Sequence, residues 1–176
     1  PKIKKEDYDL VILSDYNKGV LNDLWFDINV FDNVFVDPKK KSFKNYYGAK
    51  VITPNLKELQ IACGKNLEKK EDIVVECNNL INRYNFDYIV AKQGSKGMTV
   101  VGKNNFSKHI LAHKVSQPDV TGAGDTVIAS LSLFYTKTGD LECSAKFANA
   151  AAAVAVGKIG TSYVQLSELE DLNIIS

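Results

Sequence analysis

The stretch VFVDPKKKSFKNYYGAKVITPNLKEL, residues 34–59, holds two short runs, VFVD and KVIT, each closed by a proline turn at Asp37-Pro38 and Thr53-Pro54. Both runs are apolar almost throughout rather than alternating, which predicts strands covered on both faces. Toward the N-terminus, DLVILSD at residues 9–15 repeats the pattern. Toward the C-terminus, Ile73, Cys77, Leu80, Ile81 and Tyr84 recur at helical spacing and form one stripe, with Glu76, Asn79 and Arg83 on the opposite face. DYIVAK, residues 87–92, reads as a further buried strand, and GMTVVGKNNFSKHILAH, residues 97–113, as antiparallel strands turning at 102–105. Helices are predicted over 123–137 and 141–156. Strand and helix alternating in this way specify an α/β layer architecture with a mostly parallel sheet.

The composition suits one globular domain: 176 residues, 45% hydrophobic and 24% charged. Twenty-two Lys and Arg against 21 Asp and Glu leave a net charge of +1, too little to gather nucleic acid or an anionic membrane. No run approaches the ~18 apolar residues of a membrane helix. The first ten residues, PKIKKEDYDL, lack a signal-peptide core. The expectation is a cytoplasmic protein with no nucleic acid or membrane partner. Cys63, Cys77 and Cys143 are too few and too far apart for a disulfide framework and are expected as reduced thiols. His109 and His113 lie in a strand-like run with no carboxylate or thiol at ligand spacing, so the structural reading of both is favoured over a metal site.

The strongest chemical signal is DVTGAGDT, residues 119–126, just ahead of an apolar helical pattern. Small residues let the backbone approach a ligand, and first-turn amides at Gly122, Ala123 and Gly124 can point at an anion, with Asp125 at the rim. Taken alone, the segment reads equally well as a glycine turn whose Asp125 complements the helix dipole. Asn55 and Glu58, three apart at a helix start, suit a hydrated magnesium ion. The competing reading, a capping box with Asn in place of Ser or Thr, is favoured on those residues alone. Ligands of open α/β sheets bind outside the carboxyl ends of the strands. The turns at residues 14–19, 37–39 and 92–97 are therefore expected on one rim with the 119–126 loop. Lys40 and Lys41 read as a solvated charge run. GMTVVGKN resembles a P-loop but has Asn104 where Ser or Thr is required, and Val127 stands where a dinucleotide fingerprint needs glycine. The sequon Asn105-Phe106-Ser107 is a chance match.

DVTGAGD together with Asn55-x-x-Glu58 resembles the signature of the ribokinase-like (PfkB) carbohydrate kinases. LSDYNKG, VDPK, TPNLKEL, FANAAAAVAVGKIGTS and the closing SELE resemble the kinase domain of heptose-7-phosphate kinases, found alone or fused to an adenylyltransferase in ADP-heptose synthesis. The resemblance implies an α/β, ribokinase-like three-layer sandwich with a mostly parallel sheet. It implies Asp125 as the base that takes the sugar hydroxyl's proton, with Gly122, Ala123 and Gly124 as the anion hole. Asn55 and Glu58 would organise Mg2+ through water, and Lys39 would contact phosphate. Gly94, Asn149, Ala152 and Ala153 would line the site of ATP. Asp119 and Thr121 would hold a monovalent cation, K+, and Asp15 and Lys18 would touch the sugar phosphate. Residues 1–176 would be the C-terminal portion of one kinase domain, lacking its N-terminal strands and lid, through which a homodimer would form. The H-x-G-H of an adenylyltransferase is absent. Phosphorylation of D-glycero-D-manno-heptose 7-phosphate at its anomeric hydroxyl is the implied reaction. Another PfkB sugar or nucleoside kinase, or a nucleotide-binding fragment without catalysis, stays open at this point.

Overall fold

The computed structural model describes residues 7–19, 21, 27–39 and 41–170. Strand β2 (Val34–Asp37) is buried along its whole length, as an apolar run without alternation requires. It pairs in parallel with β1 (Val11–Ser14) on one side and with β3 (Val51–Ile52) on the other. β4 (Tyr88–Lys92) continues the parallel set, and β5 (Met98–Gly102) and β6 (Phe106–Ile110) add two antiparallel strands. The spatial order is β1-β2-β3-β4-β5-β6, a mixed sheet of six.

Period-two alternation divides the strand side chains between two cores. Val34, Val36, Ile52, Ile89, Ala91 and Val101 face α1 (Leu56–Cys63) and α2 (Lys70–Tyr84), packing against Leu59, Ile73, Cys77, Leu80 and Ile81. Phe35, Val51, Val90, Met98 and Val100 point the other way, onto α3 (Ala123–Thr138) and α4 (Leu141–Val156). The result is a helix–sheet–helix sandwich, the three-layer architecture expected. Each fully buried aliphatic or Phe side chain contributes about 1.5–3 kcal/mol, so the two cores carry the fold. The small side chains along α4 let it approach its neighbours closely: Ala145, Ala148, Ala150 and Ala151 are buried, and Phe134 stacks on Phe147 at 4.5 Å between centroids. α5 (Leu166–Glu170) closes the layer by burying Leu169 beside them.

The polar face expected of α2 is not wholly solvated. Glu76 is buried, and its Oε1 takes the Lys65 ammonium at 2.5 Å. His109 lies in β6, where its Nδ1 meets Thr99 Oγ1 at 2.9 Å, and no cluster of metal-ligating side chains occurs among the described residues. Lys41 is exposed as expected of a charge run, while Lys40 lies outside the described residues. No helix among the described residues is long and apolar enough to cross a membrane.

Candidate active site

Parallel strands end in one direction, so the carboxyl ends of β1 to β4 form one rim. Backbone bonds fasten its loops: Asp15 N donates to Asp37 O at 3.0 Å, Thr53 N to Val36 O at 2.8 Å, and Lys92 N to Pro54 O at 2.8 Å. By alternation, Asp37 shares the face of Phe35, and Lys92 the face of Val90, both under α3. Their side chains meet there, with Lys92 Nζ 2.5 Å from Asp37 Oδ1. The Thr53 hydroxyl donates to the same oxygen at 3.0 Å. Lys39 Nζ stands 3.4 Å from Asp37 Oδ2 and 2.8 Å from Glu58 Oε1. Lys92, Asp37, Lys39 and Glu58 thus form a chain of alternating charge along the rim. Asp37 is only 2% exposed, a position a carboxylate tolerates because a cation and a hydroxyl satisfy it. Burial pulls the Lys39 ammonium toward deprotonation, but Glu58 and Asp37 outweigh it and its pKa is raised.

The 119–126 loop arrives over this chain. Gly122 caps α3 at φ 75, a left-handed conformation glycine adopts at no steric cost. The Ala123 amide departs from the expected role: it donates to Val120 O at 3.2 Å, closing the turn. The amides of Gly122, Gly124 and Asp125 take no hydrogen-bond partner among the described residues, so these are the open donors of the turn. A Cβ on Gly124 would stand 3.4 Å from Lys92 Nζ and 4.0 Å from Asp37 Oδ2. The turn therefore sits with its backbone directly against the ammonium. Asp125, exposed in the first turn of α3, accepts the Tyr16 hydroxyl at 2.8 Å on each of its two oxygens. That hydrogen bond is the main reason the Tyr16 phenol is raised above its ordinary pKa.

The other expected site residues have mixed placements. Asn55 and Glu58 form the capping box, with Glu58 N donating to Asn55 Oδ1 at 2.9 Å and Asn55 N to Glu58 Oε2 at 2.8 Å. The structural reading of this pair is therefore present, and the same Glu58 also ends the charge chain. Asp15 is 3% exposed and sits under its loop, accepting from Tyr46 Oη at 2.5 Å and Asn17 N at 2.6 Å, whereas Lys18 is exposed. Asp119 takes the amides of Thr121 at 3.0 Å and Gly160 at 2.8 Å, stapling the 119–121 turn to the segment after α4. Hydrogen bonds from the Thr121 side chain and from these amides hold its carboxyl down to about 2. Gly94 stands open on the turn after β4. Asn149 is buried and donates to Leu111 O at 2.8 Å, tying the segment after β6 to α4, and Ala152 and Ala153 are half-buried.

Tyr16, Asp37 and Lys92 lay in the turns marked by the sequence but were not among its candidate site residues. A lysine ending an otherwise apolar strand, as in DYIVAK, is the one local signal available for Lys92. The partner of Tyr16 is 109 residues away, and no spacing rule reaches it.

This donor set fits a magnesium-bound polyphosphate. Hard carboxylate oxygens of Asp37 and Glu58 and the amide oxygen of Asn55 stand beside two lysines, the composition magnesium and phosphate share. The unpartnered glycine amides at a helix start and the missing Cβ of Gly124 leave backbone that an anion can approach.

The Bifunctional protein HldE of Mesorhizobium japonicum is 41% identical over 167 residues, covering 92% of this chain and 34% of the relative. The chain thus spans about a third of the curated relatives it matches. The ribokinase of Thermotoga maritima superposes with a TM-score of 0.74 at 21% identity, over 96% of this chain and 58% of that one. The Arabidopsis thaliana ribokinase complexed with ribose and ATP gives 0.74 at 22% identity, over 82% and 48%. These two likenesses concern the fold. The profile of the pfkB family of carbohydrate kinases matches residues 20–168, which include the charged rim, the glycine turn and Asp125. With that match over most of its length, the chain belongs to the pfkB family of carbohydrate kinases.

Proposed function

We propose that the protein carrying this chain transfers the γ-phosphoryl group of ATP to the anomeric hydroxyl of D-glycero-D-manno-heptose 7-phosphate, a step toward ADP-heptose and the lipopolysaccharide core. The observation that carries the reading is the start of α3, where Asp125 and unpartnered glycine amides lie at the carboxyl rim with Gly124 set against the Lys92–Asp37 pair. The choice of heptose rests on the resemblance of DYNKG, VDPK and TPNLKEL and is supported by the 41% identity to HldE. Residues 1–176 act as part of one kinase domain, with the sugar phosphate as the small-molecule partner.

Phosphoryl transfer through a loose transition state needs positioning and charge neutralisation more than covalent help. The Gly122 and Gly124 amides stabilise charge on the migrating group. The sugar oxygen forms its bond to phosphorus as the bridging P–O bond to ADP breaks, and the hydroxyl proton passes to Asp125. Lys39 and Lys92 supply fixed positive charge beside the phosphates. Asn55 and Glu58 would hold Mg2+ through its waters, and the ion supplies neutralisation of the triphosphate when bound. Gly94, Ala152 and Ala153 flank the nucleotide, with Asn149 fixing α4 behind them. Lys18 meets the sugar phosphate, and Asp15 sets the loop that presents it. Asp119 and Thr121 shape the turn a K+ ion would adjoin.

The test is ADP release by the full-length protein with ATP, Mg2+ and heptose 7-phosphate, ribose, fructose 1-phosphate or a nucleoside as acceptor. Turnover confined to the heptose, with 31P coupling to the anomeric proton of the product, supports the reading. Turnover with another acceptor alone overturns the choice of sugar, and turnover with none overturns the kinase reading.

A further inference from the structure

Asp125 holds a hydroxyl already. Tyr16 Oη lies 2.8 Å from both carboxylate oxygens, a bifurcated bond on the bisector of the carboxylate. A sugar hydroxyl giving its proton to Asp125 has to come within about 2.6–3.2 Å of one of the same oxygens. The backbone beneath Tyr16 is pinned: Asp15 is buried and accepts from Tyr46 Oη and Asn17 N, Asp15 N donates to Asp37 O, and Asn17 turns the chain at φ 54. The ring itself is 54% exposed, so it can rotate off Asp125 without moving the loop. Its phenol, raised in pKa first by the bond to Asp125, stays a donor throughout the neutral range.

We propose that Tyr16 occupies on Asp125 the place of the acceptor hydroxyl, so that the base is covered until the sugar displaces the tyrosine, and that Tyr16 thereby selects sugar over water as phosphoryl acceptor. The proposal rests on the reading of Asp125 as the base. With Tyr16 rotated away and no sugar present, a water oxygen can bond to the γ-phosphorus as the bridging P–O bond breaks. Asp125 then takes the water proton, and ADP and phosphate leave. Covering Asp125 limits this loss to the fraction of time the tyrosine is off. The same fraction multiplies the apparent affinity for the sugar, because the sugar binds productively only to the uncovered base. One residue therefore ties two observables together, which a merely structural tyrosine does not do. Tyr16 is a positioning and specificity residue that acts through Asp125.

The experiment uses the full-length protein and its Tyr16→Phe variant, measuring ADP release without sugar and the KM for the acceptor sugar. The expected result is a rise in sugar-free ADP release and a fall in sugar KM by the same factor, roughly three- to tenfold, the net range for loss of one ordinary hydrogen bond. Unchanged or slower sugar-free release overturns the proposal, as does a rise with no fall in KM. Tyr16→Leu serves as a second variant with the same expectation, and a thermal shift on adding ATP establishes that both variants are folded. Asp125→Asn separates the two readings. If it leaves sugar-dependent turnover intact, the base assignment itself fails. If it abolishes turnover while Tyr16→Phe leaves sugar-free release unaltered, only the role of Tyr16 fails.

Discussion

Lys92 Nζ reaches Asp37 Oδ1 at 2.5 Å, an ion pair that joins β4 to β2 across the intervening strand β3. β3 contributes to the same carboxylate through the hydroxyl of Thr53 just beyond it. Three strand ends are thereby fixed relative to one another beneath the glycine turn, a rigid floor for the triphosphate of the proposed reaction.

Removing one partner leaves a buried charge, so Lys92→Met should destabilise by about 3 kcal/mol. Lys39, 3.4 Å from the other oxygen, compensates in part. The double variant Lys92→Met/Asp37→Leu should cost at least about 1 kcal/mol less than the sum of the two single changes, because it leaves no orphaned partner. Urea unfolding of the four proteins measures the cycle, and strict additivity would show that the two groups do not interact.

Gly124 has an ordinary helical conformation, and an added Cβ would stand 3.4 Å from the Lys92 ammonium and in ordinary contact with Asp37 Oδ2 at 4.0 Å, a fit that a shift of the ammonium by a few tenths of an ångström accommodates. Gly124→Ala should therefore keep stability or raise it by up to about 1 kcal/mol, the helix-propensity gain. The methyl group covers the backbone an anion would approach, so kcat/KM should fall roughly tenfold or more. Melting curves beside ATP kinetics read both effects, and an unimpaired kcat/KM would remove the turn from the phosphate site.

The layers of this fold were legible because they rest on local periods. VFVD reads as a doubly buried strand and is one, the 141–156 helix has the predicted bounds, and the turn at 102–105 pairs β5 with β6. The rim followed too, since parallel strands share a carboxyl edge. What the residues could not reveal is long-range side-chain geometry. The Tyr16–Asp125 bond and the Lys92–Asp37 pair depend on how loops far apart in sequence meet over the sheet. The Ala123 amide is bonded rather than free because whether a first-turn donor is free depends on the turn before it, here closed onto Val120. The burial of Glu76 was equally out of reach, since a charge on the polar side of a stripe can still be covered by a neighbouring loop lysine, Lys65. Asn55-x-x-Glu58 forms a capping box and ends a charge chain at once, so spacing alone could not choose between them.

Two glycines that both have positive φ should behave very differently. Gly97 has φ 90, and a Cβ there would stand 2.0 Å from Ile110 O and 2.6 Å from Ala112 N, backbone atoms of the next segment. Gly97→Ala should cost more than about 3 kcal/mol, since strain and a backbone clash combine. Gly64 has φ 68 with open space around it, so Gly64→Ala should cost only about 1–2 kcal/mol, the left-handed penalty alone. Comparable unfolding midpoints for the two variants would contradict the close approach of the Gly97 backbone to the 110–112 segment.

Asp119 carries a pH signature. Its carboxyl is lowered from 3.8 to about 2 by the hydrogen bonds from Thr121 and Gly160. A depressed folded-state pKa means that the unfolded chain binds the proton first, so the stabilisation is present above about pH 4 and lost as pH falls toward 2. The melting temperature of Asp119→Asn should lie below that of the parent at pH 7, and the gap should close between about pH 4 and pH 2. A gap independent of pH would mean that the staple does not depend on the charge.

The most direct test of the account is the steady-state rate of Asp125→Asn in the full-length protein, measured beside its affinity for ATP. A general base contributes about 10²- to 10⁴-fold, so kcat for sugar phosphorylation should fall by that order while the dissociation constant for ATP stays within about threefold. A variant that turns over at the parent rate, or one that loses ATP binding along with its rate, would contradict the placement of the proton acceptor on this aspartate.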